Sequence, residues 1–473
     1  MVLGRLVDGV ARGLGGVAQG VGGAVQVVGD AFDPGLRLGV TGLARAGKTV
    51  FVTSLVANLV DRGRMPALAA GARIEAAYLQ PQPDDTVPRF DYEANLAALT
   101  GPAPRWPDST RAVSELRLSL RVRQGGLLSG IAGARVVHLD VVDYPGEWLL
   151  DLSLMDLAYP DWSARALARL DRWEVAGYRA ALAGTDPAAP LDEPVAQALA
   201  RAYTADLRAA RERGASDLTP GRFLMPGEME GSPALTFAPL PPHHDAPRGS
   251  LAREFARRFE AYKARVAKPF FRDHFARIDR QVVLLDVLGA IRGGPRAVDE
   301  LREAMADVLR AFRPGRVGWL LSLVGARRVD RILFAATKAD HLHHTQHARL
   351  QAILEALVRE ARDRADFAGA RTGAMVIAAL RATVEETREV GGEPRGLVRG
   401  TLADGRRVAL DPGALPERPG DLLDQARGGV AAWLDGDYDL MDFAPAPSTL
   451  RPGEGPPHIR MDRAAEFLLG DRL

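Results

Sequence analysis

The chain of 473 residues has no cysteine. That excludes disulfides, cysteine-held zinc, iron–sulfur clusters and thiol catalysis, and it fits a reducing compartment. Lysine is almost missing too: the only ones are Lys48, Lys263, Lys268 and Lys338, against many arginines. A lysine kept against such a bias points to a place where arginine would not serve. Net charge is also near absent. The formal value is +1, so no global field draws the chain to nucleic acid or to an anionic membrane. No apolar run reaches the roughly 20 residues of a membrane helix. What remains is a globular composition, 47% hydrophobic and 26% charged, too long for one ordinary core.

Hydrophobic periodicity divides the chain. Residues 1–30 carry Val7, Val10, Leu14, Val17, Val21, Val25 and Val28 at helical spacing, broken by glycines and without a signal-peptide cleavage pattern. They read as a terminal amphipathic helix packed on the body, with membrane-surface or partner-helix attachment and disorder as the alternatives. Short apolar strands are expected at Leu36–Val40, Leu116–Val122, Val136–Val142, Val282–Leu288, Ile332–Ala336 and Met375–Ala378, separated by helical stretches. Residues 64–110 read as a long loop with helical pieces. Asp404-Gly405, between Val398–Leu402 and Val408–Leu410, signals a hairpin.

This alternation predicts an α/β fold with a mostly parallel sheet and helices on both faces. The expected organisation is an N-terminal amphipathic segment (1–30) and a first half of the nucleotide domain (31–148). A large helical insertion (149–280) and the second half (281–383) follow. A small β appendage with loops (384–457) and a closing helix (458–473) complete it.

Three motifs carry chemistry. Gly42-Leu43-Ala44-Arg45-Ala46-Gly47-Lys48-Thr49 matches G-x-x-x-x-G-K-[ST] between a strand and a helix. Its backbone N–H groups, from Gly42, Arg45, Ala46 and Gly47 to Lys48, Thr49 and Val50, would cradle phosphates. Lys48 would reach the β- and γ-phosphates, and the Thr49 hydroxyl would ligate Mg²⁺. Second, the strand His138–Val142 delivers Asp143, followed by Tyr144-Pro145-Gly146-Glu147. Asp143 would hold Mg²⁺ through water, and Gly146 would let its N–H approach the γ-phosphate. Asp286 is a weaker acidic alternative, expected rather to end a central strand. Third, Thr337-Lys338-Ala339-Asp340 follows a strand. The Asp340 carboxylate can accept from guanine N1–H and the 2-amino group, a donor pair that adenine lacks. The Lys338 stem can cover the base, and a backbone N–H of Ala379 or Leu380 can meet guanine O6.

In this order the motifs resemble the signature set of Ras-like and Gα-like GTPases, with Ala378 where serine is usual. The stretches Val40–Val50, Asp143-Tyr144-Pro145-Gly146-Glu147-Trp148, Thr337–His341 and Pro457-His458-Ile459-Arg460 resemble more specifically the YcjX-like family of bacterial P-loop GTPases. The resemblance implies a Ras-like P-loop fold, bound GTP or GDP with Mg²⁺, and slow GTP hydrolysis that works a conformational switch. It also implies a stress-response role, an unknown effector or activating protein, and an inner-membrane protein partner. A cytoplasmic chain, peripheral at the inner membrane, and no nucleic-acid partner complete the expectation. By the same resemblance Thr110, or Ser109, would be the switch residue on Mg²⁺, and Arg105 or Arg111 would be a cis arginine on the transferring phosphoryl group. Glu147 stands where a water-orienting glutamine is usual. It would repel the γ-phosphate, so slow turnover or a rearranged catalytic group is expected. The catalytic set is thus Lys48, Thr110, Gly146 and Glu147, and the metal set Thr49, Thr110 and Asp143. An ATPase and a nucleotide-binding scaffold without turnover are the rival functions. His343 and His347, one helical turn apart among His341, His343, His344 and His347, could share a metal but show no third ligand in the sequence, so a structural role is expected for them.

Overall fold

The structure, a computed structural model, describes residues 35–43, 45–108, 112–124, 134–242, 246–310, 329–367, 369–390, 392–428, 443–447 and 450–473. The N-terminal amphipathic segment, Ala44, Ser109, Thr110 and Arg111 lie outside the described residues.

Seven strands form the main sheet in the order β2-β3-β4-β1-β5-β6-β7. They are β1 (Leu36–Gly42), β2 (Ile74–Gln80), β3 (Ser114–Val122), β4 (Arg135–Asp143), β5 (Arg280–Leu285), β6 (Arg331–Ala336) and β7 (Arg371–Val376). The five strands β4-β1-β5-β6-β7 pair in parallel, and β3 runs antiparallel between β2 and β4. The expected α/β class with a mostly parallel sheet is what the chain adopts.

The apolar runs explain the two-faced burial. Along β5 and β6, Val283, Leu285, Ile332, Phe334 and Ala336 point into one core, while Val282, Leu284, Leu333 and Ala335 point into the other. A strand buried on both sides reads as continuous hydrophobicity rather than alternation. Each of the Val, Leu, Ile and Phe side chains contributes about 1.5–3 kcal/mol by leaving water. The second core is closed by α1 (Lys48–Val60) and, at the end of the chain, by Met461, Ala464, Ala465, Leu468 and Leu469.

Between β4 and β5 the chain is helical. It contributes α2 (Glu147–Leu150), α3 (Tyr159–Arg172), α4 (Glu193–Glu212) and α5 (Leu251–Tyr262). Their aromatic residues knit together: Trp162 stacks on Phe259 at 5.1 Å and meets Phe237 edge-on at 5.4 Å. This cluster is continuous with the first core, so the helical segment sits on the sheet as one body.

Two expectations change, and a third, the hairpin, is borne out. The loop expected over 64–110 contains β2, an edge strand whose residues are mostly exposed or half-buried, so alternation is lost. It also contains a helix at Tyr92–Thr100, capped by Asp91. The run expected as a strand to Leu288 stops at Leu285. Asp286 accepts from Gly289 N–H at 2.9 Å and starts α6 (Val287–Arg292). The hairpin signal at Asp404-Gly405 lies between β9 (Glu393–Thr401) and β10 (Arg407–Leu410), and β8 (Val384–Val390) completes a separate three-stranded sheet.

Candidate nucleotide-binding site

Phosphate chemistry starts at the C-terminal end of β1. Arg45 (φ 64°) and Gly47 (φ 80°) both take left-handed backbone, which curls the loop into the first turn of α1. That turn has no acidic residue and no side-chain cap, so its N–H groups are offered to an anion. Lys48 opens the helix, and its Nζ donates to the Gly42 carbonyl at 2.7 Å. Thr49 Oγ1 donates to the Asp108 carbonyl at 3.3 Å.

The neighbouring strand β4 ends at Asp143, which is buried and registers with Val40 of β1. Gly146 follows. A Cβ there would stand 2.4 Å from the Gly42 oxygen and 2.5 Å from the Gly42 carbon. Its φ of −66° is ordinary. Close packing of two backbones, not a left-handed turn, is therefore why a side chain has no room at this position.

Two strands along, Thr337 binds the end of β6 to β5, through its N–H (3.0 Å) and hydroxyl (3.3 Å) to the Leu285 carbonyl. Lys338 (φ 61°) extends to Asp286, with Nζ 2.5 Å from Oδ2. Asp340 is buried, and the Ala382 N–H donates to its Oδ2 at 2.8 Å. The next loop is held from the end of the chain: Ala378 and Ile459 exchange two backbone hydrogen bonds, and Arg381 N–H donates to Pro457.

These loops meet in one cavity of about 440 Å³. Its wall includes Arg45, Ala46, Gly47, Lys48, Thr49 and Val50 at one end, and Thr337, Lys338, Asp340, Ala379 and Leu380 at the other. A match to the YcjX-like family, DUF463, spans residues 36–473. The chain belongs to that family. Among relatives, it is 37% identical to "Ras-like GTPase YcjX" of Escherichia coli (strain K12) over 460 residues, covering 93% of this chain and 96% of that protein. It is 34% identical to "Ras-like GTPase YcjX" of Shewanella oneidensis over 473 residues, covering 93% and 95%.

In this YcjX-like chain, Gly42, Asp143 and Gly146 do not line the cavity. Gly42 and Gly146 support its floor by backbone contact, and Asp143 is buried at the end of β4. Glu147 does line it. Its carboxylate is buried, and neither oxygen has a hydrogen-bond partner among the described residues. Of the two arginines expected as cis cations, Arg111 lies outside the described residues, and Arg105 is exposed and away from the cavity.

Another arginine, Arg211 of α4, does reach the cavity. It lines the cavity with one guanidinium nitrogen 3.6 Å from Glu147 Oε1. A second cavity of about 510 Å³ shares Arg45, Glu147 and Arg211 with the first. The helical segment also fixes the turn that carries Glu147. Asp151 accepts from Gly221 N–H (2.7 Å) and from the Tyr262 hydroxyl (2.5 Å), and burial pushes it up to about 6. Local sequence holds no signal for Arg211, one arginine among many. Asp286 had one, an Asp three residues before Gly289. Trp106, Pro107, Asp108, Met225, His341, Ala378 and Phe443 complete the wall.

The Gly42–Gly146 contact gives a direct test. Gly146→Ala must push the phosphate loop away, at a cost of about 1–3 kcal/mol. Urea denaturation should show that loss, and nucleotide titration a weakened affinity. Wild-type stability together with wild-type affinity would show that the contact is not needed.

Proposed function

We propose that this chain binds guanine nucleotide with Mg²⁺ and hydrolyses GTP slowly, as a conformational switch. The observation that carries the reading is the meeting of the Lys48 loop and Asp340 across one cavity. The names of its relatives, Ras-like GTPases, agree with it.

In this reading the phosphates lie on the loop Arg45–Val50, and Lys48 exchanges its bond to the Gly42 carbonyl for phosphate oxygens. Asp340 already carries one hydrogen bond, from Ala382, which fixes its carboxylate at the cavity wall. Each carboxylate oxygen can accept more than one, so the guanine edge can be read without releasing it. Asp286 holds Lys338. Thr49 and Asp143 offer an alcohol and a carboxylate, donors that suit a hard cation, and by the family likeness Thr110 would add a second hydroxyl. Bound Mg²⁺ would neutralise phosphate charge.

Glu147 and Arg211 set the rate. An ionised Glu147 repels the γ-phosphate, and the guanidinium of Arg211 offsets it and can turn to the transferring phosphoryl group. This pairing keeps turnover slow and makes it depend on the helical segment. The reading includes, from the family likeness alone, a stress-response role, an inner-membrane protein partner and a cytoplasmic, peripheral location.

Base choice is tested by Asp340→Asn. The variant should lose GTP affinity about ten- to a hundredfold and gain affinity for XTP, whose 2-carbonyl can accept from the new amide. Competition of GTP, XTP and ATP with Mg²⁺ present measures this. An unchanged GTP/XTP ratio would remove the guanine reading and favour an ATPase.

Arg211→Ala should slow single-turnover GTP hydrolysis by about a hundredfold, with GDP affinity nearly unchanged. An unaltered rate would take Arg211 out of the chemistry. Absence of turnover in the wild type would make the chain a nucleotide-binding scaffold.

A further inference from the structure

The loop directly after Asp340 is rich in imidazole: His341, His343, His344 and, at the start of the following helix, His347. The pair singled out by helical spacing, His343 and His347, does not form. His347 Nε2 is 2.8 Å from the Ala339 carbonyl, and its Nδ1 is 3.4 Å from Arg460, so both nitrogens are engaged elsewhere. His343 and His344 instead face Glu385 of β8, on the small sheet. His344 Nδ1 is 2.5 Å from Glu385 Oε2, and His343 Nε2 is 4.0 Å from the same oxygen. One donor atom from each of the three residues falls within a span of 4.8 Å.

We propose that His343, His344 and Glu385 form a site for a divalent transition-metal ion of the zinc class, which clamps the small β-sheet to the loop that carries Asp340. Two imidazole nitrogens and one carboxylate oxygen suit such an ion better than Mg²⁺ or Ca²⁺, which take oxygen donors. Tetrahedral zinc holds these donors at about 2.0–2.2 Å, so they lie roughly 3.3 Å from one another. The separations of 2.5 and 4.0 Å fall on either side of that value, and small side-chain rotations reach it.

The surroundings fit the role. Thr345 Oγ1 lies 3.0 Å from His343 Nδ1, so it can accept the Nδ1 proton and leave the Nε2 lone pair facing Glu385. Arg381 stands 3.6 Å from Oε1, the other oxygen of Glu385, and leaves Oε2 toward the imidazoles.

The small sheet also makes a seat for the His343 ring. At Gly396 of β9 a Cβ would stand 2.6 Å from His343 Cγ, so only glycine lets the strand come this close. His344 is exposed, which leaves an entry path and a coordination position for water. The clamp would act on the base end of the cavity. Its loop begins at His341, which lines the cavity and meets the Phe443 ring edge-on at 5.2 Å. Phe443 in turn bridges to Leu402, just beyond β9.

The test uses untagged full-length protein, stripped of metal and nucleotide and checked for fold by circular dichroism. Zn²⁺ is titrated against a chromophoric chelator, and Co²⁺ is followed by visible absorption. One equivalent of Zn²⁺ should bind in the micromolar range or tighter, and Co²⁺ should give a four-coordinate band that Zn²⁺ removes. His344→Ala and Glu385→Gln should each weaken binding at least about tenfold. His344 is exposed, so the first variant should fold normally. Lys48→Ala should bind the metal like the wild type. No stoichiometric uptake by the folded wild type would overturn the proposal and leave Glu385–His344 as a plain ion pair. Uptake unaltered in both variants would overturn it as well. Nucleotide is absent throughout, so the result is independent of the guanine reading.

Discussion

Parallel pairing of β4, β1, β5, β6 and β7 puts the carboxyl ends of five adjacent strands on one edge of the sheet. The loops after β1, β6 and β7 line the cavity. After β4, Glu147 joins that lining while Gly146 packs against the Gly42 backbone, and after β5 Asp286 holds Lys338. The constraint is energetic as well as topological. The central strands β1, β5 and β6 are buried on both faces, so their register is fixed by two hydrophobic cores. A slip of one residue would exchange the cores and move every loop.

The parts beyond the sheet converge on the same place. The stretch before β3 contributes Trp106 and Asp108, the helical segment contributes Arg211 and Met225, and the chain after the small sheet contributes Phe443. Trp106 Nε1 donates to the Phe443 carbonyl at 2.8 Å, so two of these parts touch across the mouth. An occupant that moves one wall therefore meets the others. The proposed switch would draw on this contact, so that its rate and affinity would depend on more than the phosphate loop.

Much of the site was legible in the sequence because its motifs are local. A strand, a glycine turn and a helix start within a dozen residues announce the phosphate loop, and a scarce lysine stands in each of two motifs. Contacts distant along the chain were not legible. Glu147 was singled out, but its partner Arg211 is 64 residues away and looks like any other arginine. Lys338 was assigned to the base and Asp286 to the end of a central strand, which β5 bears out, but their pairing across the sheet was not legible. Glu385 could not be matched to His343 and His344 before β8 was placed beside them. The edge strand β2 escaped because it is scarcely buried, so no alternation marks it.

The guanine reading is tested most directly on the wild-type protein. A fluorescent GDP analogue is bound in the presence of Mg²⁺ and displaced in turn by GTP, GDP and ATP. A cavity that reads the base through Asp340 requires both guanine nucleotides to displace the probe at concentrations at least about tenfold below that of ATP. Displacement by ATP at equal or lower concentration would contradict it.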